Sequence, residues 1–133
     1  MAWLAKYQPQ LLSILRIVAG LLFLEHGTQK LFGFPPLPPE MVHAVETIMI
    51  LKVAAVMELV GGALLTLGLF TRVTAFICSG EMAVAYWLGH VAMAKSLLPL
   101  VNKGEDAILF CFIFLYIAAA GPGPIALSRS QTL

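Results

Sequence analysis

Residues 16–33, RIVAGLLFLEHGTQKLFG, govern how this chain folds. The run is apolar enough to lie in a lipid bilayer, yet it carries Arg16, Glu25, His26, Gln29 and Lys30. An ionisable group at bilayer depth costs about 2.5–3.5 kcal/mol on insertion scales, so a chain that keeps several must supply partners for them. Two expectations follow. The run is one span of a polytopic membrane protein, and its polar face meets polar residues of other spans.

The remaining sequence suits the same solvent. Of 133 residues, 60% are apolar and 11% charged, against about 25% charged in soluble domains. No polar segment is long enough for a second domain, so one integral membrane domain over residues 1–133 is expected. The formal net charge of +1 comes without a basic run, which argues against nucleic acid as a partner. The apolar run continues past Glu25 and His26 without a small-residue cleavage pattern, so the first helix is expected to be retained.

A span needs about 20 mainly apolar residues. Four can be drawn, at about 11–32, 48–70, 73–94 and 105–120, which gives an all-α polytopic four-helix bundle. Pro35, Pro36, Pro38 and Pro39 stop the first helix. Residues 41–47 suit a short interfacial helix or an extension of the second span. The positive charges scarcely separate the two orientations: Lys6, Arg72 and Arg129 fall on one side, Lys95 and Lys103 on the other. The long loop after the first span has neither Lys nor Arg, which favours both termini in the cytoplasm.

Antiparallel threading brings Glu25, His26, Gln29 and Lys30 to the same side as His90, Asn102 and Glu105. A polar cavity open to that side, with Tyr86 and the deeper Glu58 in its lining, is the expected ligand site. Glu25 lies about 11 Å inside its helix end, too deep for a short side chain to reach water easily, so Glu25 and His26 are assigned internal roles. Lys30, Lys52, Lys95 and Asp106 are read instead as residues that snorkel to the interface. Glu58 and Glu81 are deeper still. Arg16 is expected to pair with one of them, as a structural ion pair, and Glu58 is the candidate proton-binding carboxylate. Cys78 and Cys111 form no CxxC. They are read as differing in depth by about 10 Å, beyond the roughly 7 Å Cα separation a disulfide tolerates. No metal site is assigned, and no haem, flavin or iron–sulfur motif is visible.

The run His26-Gly27-Thr28-Gln29-Lys30-Leu31-Phe32-Gly33 resembles the first-helix motif of the DoxX family. Glu58-Leu59-Val60-Gly61-Gly62, continuing to Gly68-Leu69-Phe70-Thr71-Arg72, is similar to that family's second helix and turn. Asn102-Lys103-Gly104-Glu105 resembles its Asn-Gly-Gly-Glu motif, with Lys103 in place of the first Gly. Gly121-Pro122-Gly123-Pro124 resembles its terminal Gly-Pro-Gly segment, and Ala126-Leu127-Ser128 stands where members often have Ser-Leu-Asp. The resemblance implies a four-helix inner-membrane protein with a redox association, since relatives include the small membrane subunit type of thiosulfate:quinone oxidoreductases.

Three functions are consistent with this reading. The first is a redox-associated membrane subunit that binds quinone or a small sulfur compound. A quinone needs an apolar slot, a donor such as His or Tyr, and a carboxylate that accepts a proton; His26, Tyr86, His90, Glu25 and Glu58 are of the right types. The second is a non-catalytic assembly or scaffold subunit. The third is a small proton-coupled transporter built on Glu58. The partners expected are the bilayer, a redox partner subunit and further copies of the chain. Whether the protein is an enzyme is left open by its sequence.

Overall fold

Proline and glycine set the ends of the helices. The computed structural model describes residues 1–128; Arg129, counted above in the charge balance, lies outside them. A single turn, α1 (Ala2–Ala5), precedes α2 (Gln8–Phe32), which has Pro9 in its first turn, where the missing N–H costs nothing. The long helix ends at Gly33, whose φ of 68° is left-handed and whose N–H donates to Gln29 O at 3.0 Å. After the prolines come α3 (Pro39–Thr47) and α4 (Met49–Leu67). Gly68 closes α4 at φ 72°, with Leu69 N donating to Leu64 O at 2.9 Å. Beyond the turn, α5 (Thr71–Val84) runs into a π-helical stretch, Ala85–Val91, and on into α6 (Ala92–Ala94). The third expected span is therefore one rod over 71–94, but not a regular α-helix. A short α7 (Pro99–Asn102) leads to α8 (Glu105–Ala120). Glu105 and Asp106 in its first turn complement the helix dipole.

The described residues are all helix and connection, with no strand. The long helices pack as two antiparallel pairs, α2 with α4 and α5 with α8, joined through α4–α5 and α2–α8 contacts. Glycine allows the first pair its close approach. A Cβ on Gly20 would stand 2.7 Å from the backbone N of Thr66, and one on Gly27 or Gly62 would overlap the backbone of Leu59 or Leu24. Between the pairs sits an aromatic core. Phe23 meets Phe114 edge-on at 4.9 Å between centroids, and Phe110 at 5.6 Å. Leu65, Ala75, Met82 and Ile117 complete it.

The outer faces are equally apolar. Val18 and Leu22 on α2, Val53 and Val60 on α4, Phe76 and Ile77 on α5, and Leu109 and Phe112 on α8 are all exposed. Apolar surface this continuous is far more than a soluble monomer carries. Helices α2 and α4 are long and apolar enough to cross a membrane. At about 1.5 Å per residue the 16 residues of α8 span about 24 Å, short of a hydrocarbon core of about 30 Å.

Candidate functional site

The polar residues of the expected cavity and of the expected ion pair do not come together but fall in four separate places. The first is at the Arg72 end. Arg16 is fully buried and pairs with neither Glu58 nor Glu81, which corrects the expected ion pair. Its Nε donates to Pro122 O at 2.9 Å, Nη1 to the carbonyls of Leu65 and Thr66, and Nη2 to that of Ile125. The last four carbonyls of a helix have no partner within it, and a planar guanidinium suits several at once. Arg16 is therefore spent on the end of α4 and on the chain after α8. Ser13 Oγ accepts from Ile125 N at 3.1 Å, and Leu127 N donates to Leu67 O at 3.0 Å, so the terminal segment is strapped across the bundle end. Arg72 treats α8 likewise, donating from Nη1 to Ala118 O at 2.8 Å and Ala119 O at 2.6 Å. The sequence reading missed this role of Arg72. The orphan carbonyls before Gly121 were the available signal.

The second place is the interior between α2, α4 and α5. Because Gly27 abuts Leu59, Lys30 comes alongside the first half of α4. Its Nζ meets Glu58 Oε1 at 2.5 Å. Lys30 is thus a buried-pair residue, not a snorkelling one: its stem runs inward because a carboxylate waits there. Glu81 of α5 lies within electrostatic reach of Glu58 and Lys30, and Cys78, one turn earlier, within reach of both carboxylates. Glu58 Oε2 and both carboxylate oxygens of Glu81 are buried without a hydrogen-bond partner.

The third place ties the loop before α8. Buried Asn102 accepts at Oδ1 from Gly104 N (2.8 Å) and donates from Nδ2 to Ser96 O (3.0 Å) and the Tyr86 hydroxyl (3.4 Å). Tyr86 donates to Leu97 O at 2.9 Å. His90 Nδ1 lies 3.1 Å from Asn102 O, a carbonyl that can only accept, so Nδ1 carries the proton. Both Tyr86 and His90 stand on the π-helical stretch, whose wider turn aims them at this loop. The network holds the loop and leaves neither ring turned to the Lys30–Glu58 pair.

The fourth place is a groove between α2 and α8. It encloses about 320 Å³ and is lined by Leu15, Val18, Ala19, Leu22, His26, Asp106, Leu109, Phe110 and Ile113. The His26 ring lies edge-on to Phe110 at 6.0 Å. His26, assigned an internal role, is exposed on this outward face, as are Glu25 on α2 and Glu105 at the start of α8. Gly27 faces α4, and at about 100° per residue His26 and Glu25 fall about 100° and 200° away from it, off that contact. Gln29 only reaches Pro36 O, at 3.4 Å.

Both cysteines are free thiols. Their expected difference in depth is not found. Ser79 Oγ donates to Cys111 O at 2.8 Å, so Cys78 and Cys111 are nearly level, because α8 is short and Cys111 sits near its middle. Among the described residues no group of three His, Cys, Asp or Glu side chains could hold a metal.

Comparison with known proteins gives three matches. The family model DoxX matches residues 11–91. Over 127 residues, 95% of this chain and 94% of the relative, the sequence is 48% identical to an "Uncharacterized protein" of Haemophilus influenzae. Over 123 residues, 86% of this chain and 81% of the relative, it is 26% identical to a Bacillus subtilis protein named "Putative oxidoreductase CatD". No solved structure matches.

Proposed function

The chain belongs to the DoxX family of membrane proteins, and on that premise we propose that it is a redox-associated membrane subunit whose α2–α8 groove receives the head of a quinone. The observation that carries this reading is the position of His26. It is a hydrogen-bond donor at the rim of a groove that faces the lipid and is apolar apart from His26 and Asp106. A quinone diffusing in the bilayer enters from that direction, lays its ring against Phe110 and accepts a hydrogen bond from the imidazole. Asp106 at the same rim is the acid–base partner nearest the interface. The name of the Bacillus relative agrees with redox chemistry. The groove replaces the central cavity expected from the sequence, and Tyr86 and His90 have no part in it.

The same reading crosses the inner (plasma) membrane four times, with the rod over 71–94 and α8 as the third and fourth spans. Both termini then lie in the cytoplasm, since the loop from 34 to 48 has no Lys or Arg. No electron carrier is assigned to the chain, so the electrons come from a partner subunit or a reduced small sulfur compound.

Titration of purified protein with a short-chain quinone, read by quenching of intrinsic fluorescence, tests the groove. Loss of one hydrogen bond is worth about 1–1.5 kcal/mol, so His26→Ala weakens binding about tenfold. Ile113→Trp, which fills the groove, abolishes it, while Glu25→Gln leaves it unchanged. Wild-type affinity in both His26→Ala and Ile113→Trp overturns the reading. Absence of quinone binding beside a stoichiometric protein partner in a native pull-down favours the scaffold function instead.

A further inference from the structure

The interior cluster of Lys30, Glu58 and Glu81 is not used by the groove. We infer that it is a proton-binding site, in which a carboxylate oxygen of Glu81 takes up one proton that enters past Lys30. Two carboxylates and one ammonium leave the cluster with one uncompensated negative charge. The ammonium is committed to Glu58, at 2.5 Å from Oε1. Glu58 is 3% exposed, yet its Oε2 has no partner, and neither oxygen of Glu81 has one. Three buried oxygens thus lie unpartnered within electrostatic reach of a single lysine. An uncompensated buried charge is among the costliest features a fold can hold, and a proton on Glu81 removes it while supplying a donor.

The groups facing Glu81 are few. α2 contributes Lys30, α4 contributes Glu58, and α5 itself contributes Cys78. The acidic residues of α8, Glu105 and Asp106, are exposed in its first turn. Access lies on the Lys30 side, where the lysine side chain is 16% exposed against 4% for Glu58. The step needs no redox partner: water at the interface releases a proton, an O–H bond forms on Glu81, and the cluster becomes neutral.

Infrared spectroscopy of the full chain in lipid nanodiscs reads the proton directly. At neutral pH the wild type shows the carbonyl stretch of a protonated, solvent-shielded carboxyl, which disappears reversibly on alkalinisation. Glu81→Gln lacks that band. Glu81→Asp, which keeps a carboxyl, shows it at a shifted frequency. The inference is overturned if the wild type has no such band, as it would if a metal cation neutralised the cluster, or if the band is unchanged in Glu81→Gln. Should Glu81→Gln fail to fold, an unshifted band in Glu81→Asp overturns it equally. The readout is independent of quinone, so this site and the α2–α8 groove stand or fall separately.

Discussion

Arg16 and Glu81 are both ionisable residues with buried polar atoms, and their surroundings differ in kind. Arg16 finds four backbone carbonyls, two from the end of α4 and two from the chain after α8. Its charge is consumed in closing helix ends. Glu81 finds another carboxylate, a lysine already engaged and a thiol, and neither of its oxygens is hydrogen-bonded. The difference separates structure from function more clearly than depth does. A buried charge whose bonding capacity is filled by backbone is fixed in one state. One with open capacity has a second state available, in which something has bound. On that criterion the Arg72 end is a clasp and the interior of α2, α4 and α5 is a site.

Removing Arg16 is the severest way to break this contrast. Arg16→Ala leaves the carbonyls of Thr66, Pro122 and Ile125 without the guanidinium donor, while Leu65 O keeps only the Gly68 N–H at 3.2 Å, and each buried unpaired carbonyl costs about 1–3 kcal/mol. A loss of about 4 kcal/mol is expected, with release of the terminal strap. Thermal unfolding in detergent measures the first, and limited proteolysis after α8 the second. Arg16→Lys recovers little, because a single ammonium cannot reach carbonyls arranged around a planar fork. Near wild-type melting of Arg16→Lys would mean that charge alone, not the fork, closes this end.

The interior responds differently. Lys30→Met strips Glu58 of its counter-ion and costs about 3 kcal/mol, in the range for breaking one side of a buried pair. Adding Glu58→Gln restores most of that loss, since removing both partners of such a pair is close to neutral. No second substitution rescues Arg16→Ala in this way, because backbone carbonyls cannot be mutated away. Additive losses in the Lys30–Glu58 double variant would show that the pair is not an isolated unit and would weaken the contrast.

The sequence made the helices legible because their signals are local. Proline at 35–39, the Gly68 turn and the Gly121 stop each act on a few residues, and helix ends follow from them. The polar side of the bundle was legible only in part. Threading put Lys30 at the interface, Glu58 in the lining of a cavity and Glu58 or Glu81 against Arg16, because helical spacing does not say which face turns inward. Gly20, Gly27 and Gly62 decide that by letting α2 and α4 touch, and contact of that kind is fixed only when two helices meet. Glu25 and His26 were consequently placed inside when they face out. The assignment of Arg16 to a carboxylate failed for another reason. Charge invites charge as a partner, whereas a guanidinium at a helix end is satisfied by neutral carbonyls that no sequence pattern advertises.

Lys103 sets the lower bound on such effects, because its charge is used by neither the clasp nor the site. It is exposed, at φ 57° and ψ 29°, between Asn102 and Gly104. In the resembling Asn-Gly-Gly-Glu motif a glycine occupies this position, and the left-handed backbone accounts for that. A side chain there costs about 1–2 kcal/mol relative to ordinary conformations, partly offset by the freedom glycine gains in the unfolded chain. Lys103→Gly should therefore stabilise the protein by about 0.5–1 kcal/mol. A competing cause exists, because Lys103 lies just before the positive end of the α8 dipole, where a cation is disfavoured by about 0.3–1 kcal/mol. Lys103→Ala separates the two, since it removes the charge and keeps the Cβ. Unfolding midpoints that rise for Gly and not for Ala assign the cost to the backbone. Equal rises assign it to the dipole, and would make Lys103 a third charged residue whose energetics, like those of Arg16, are set by a helix end.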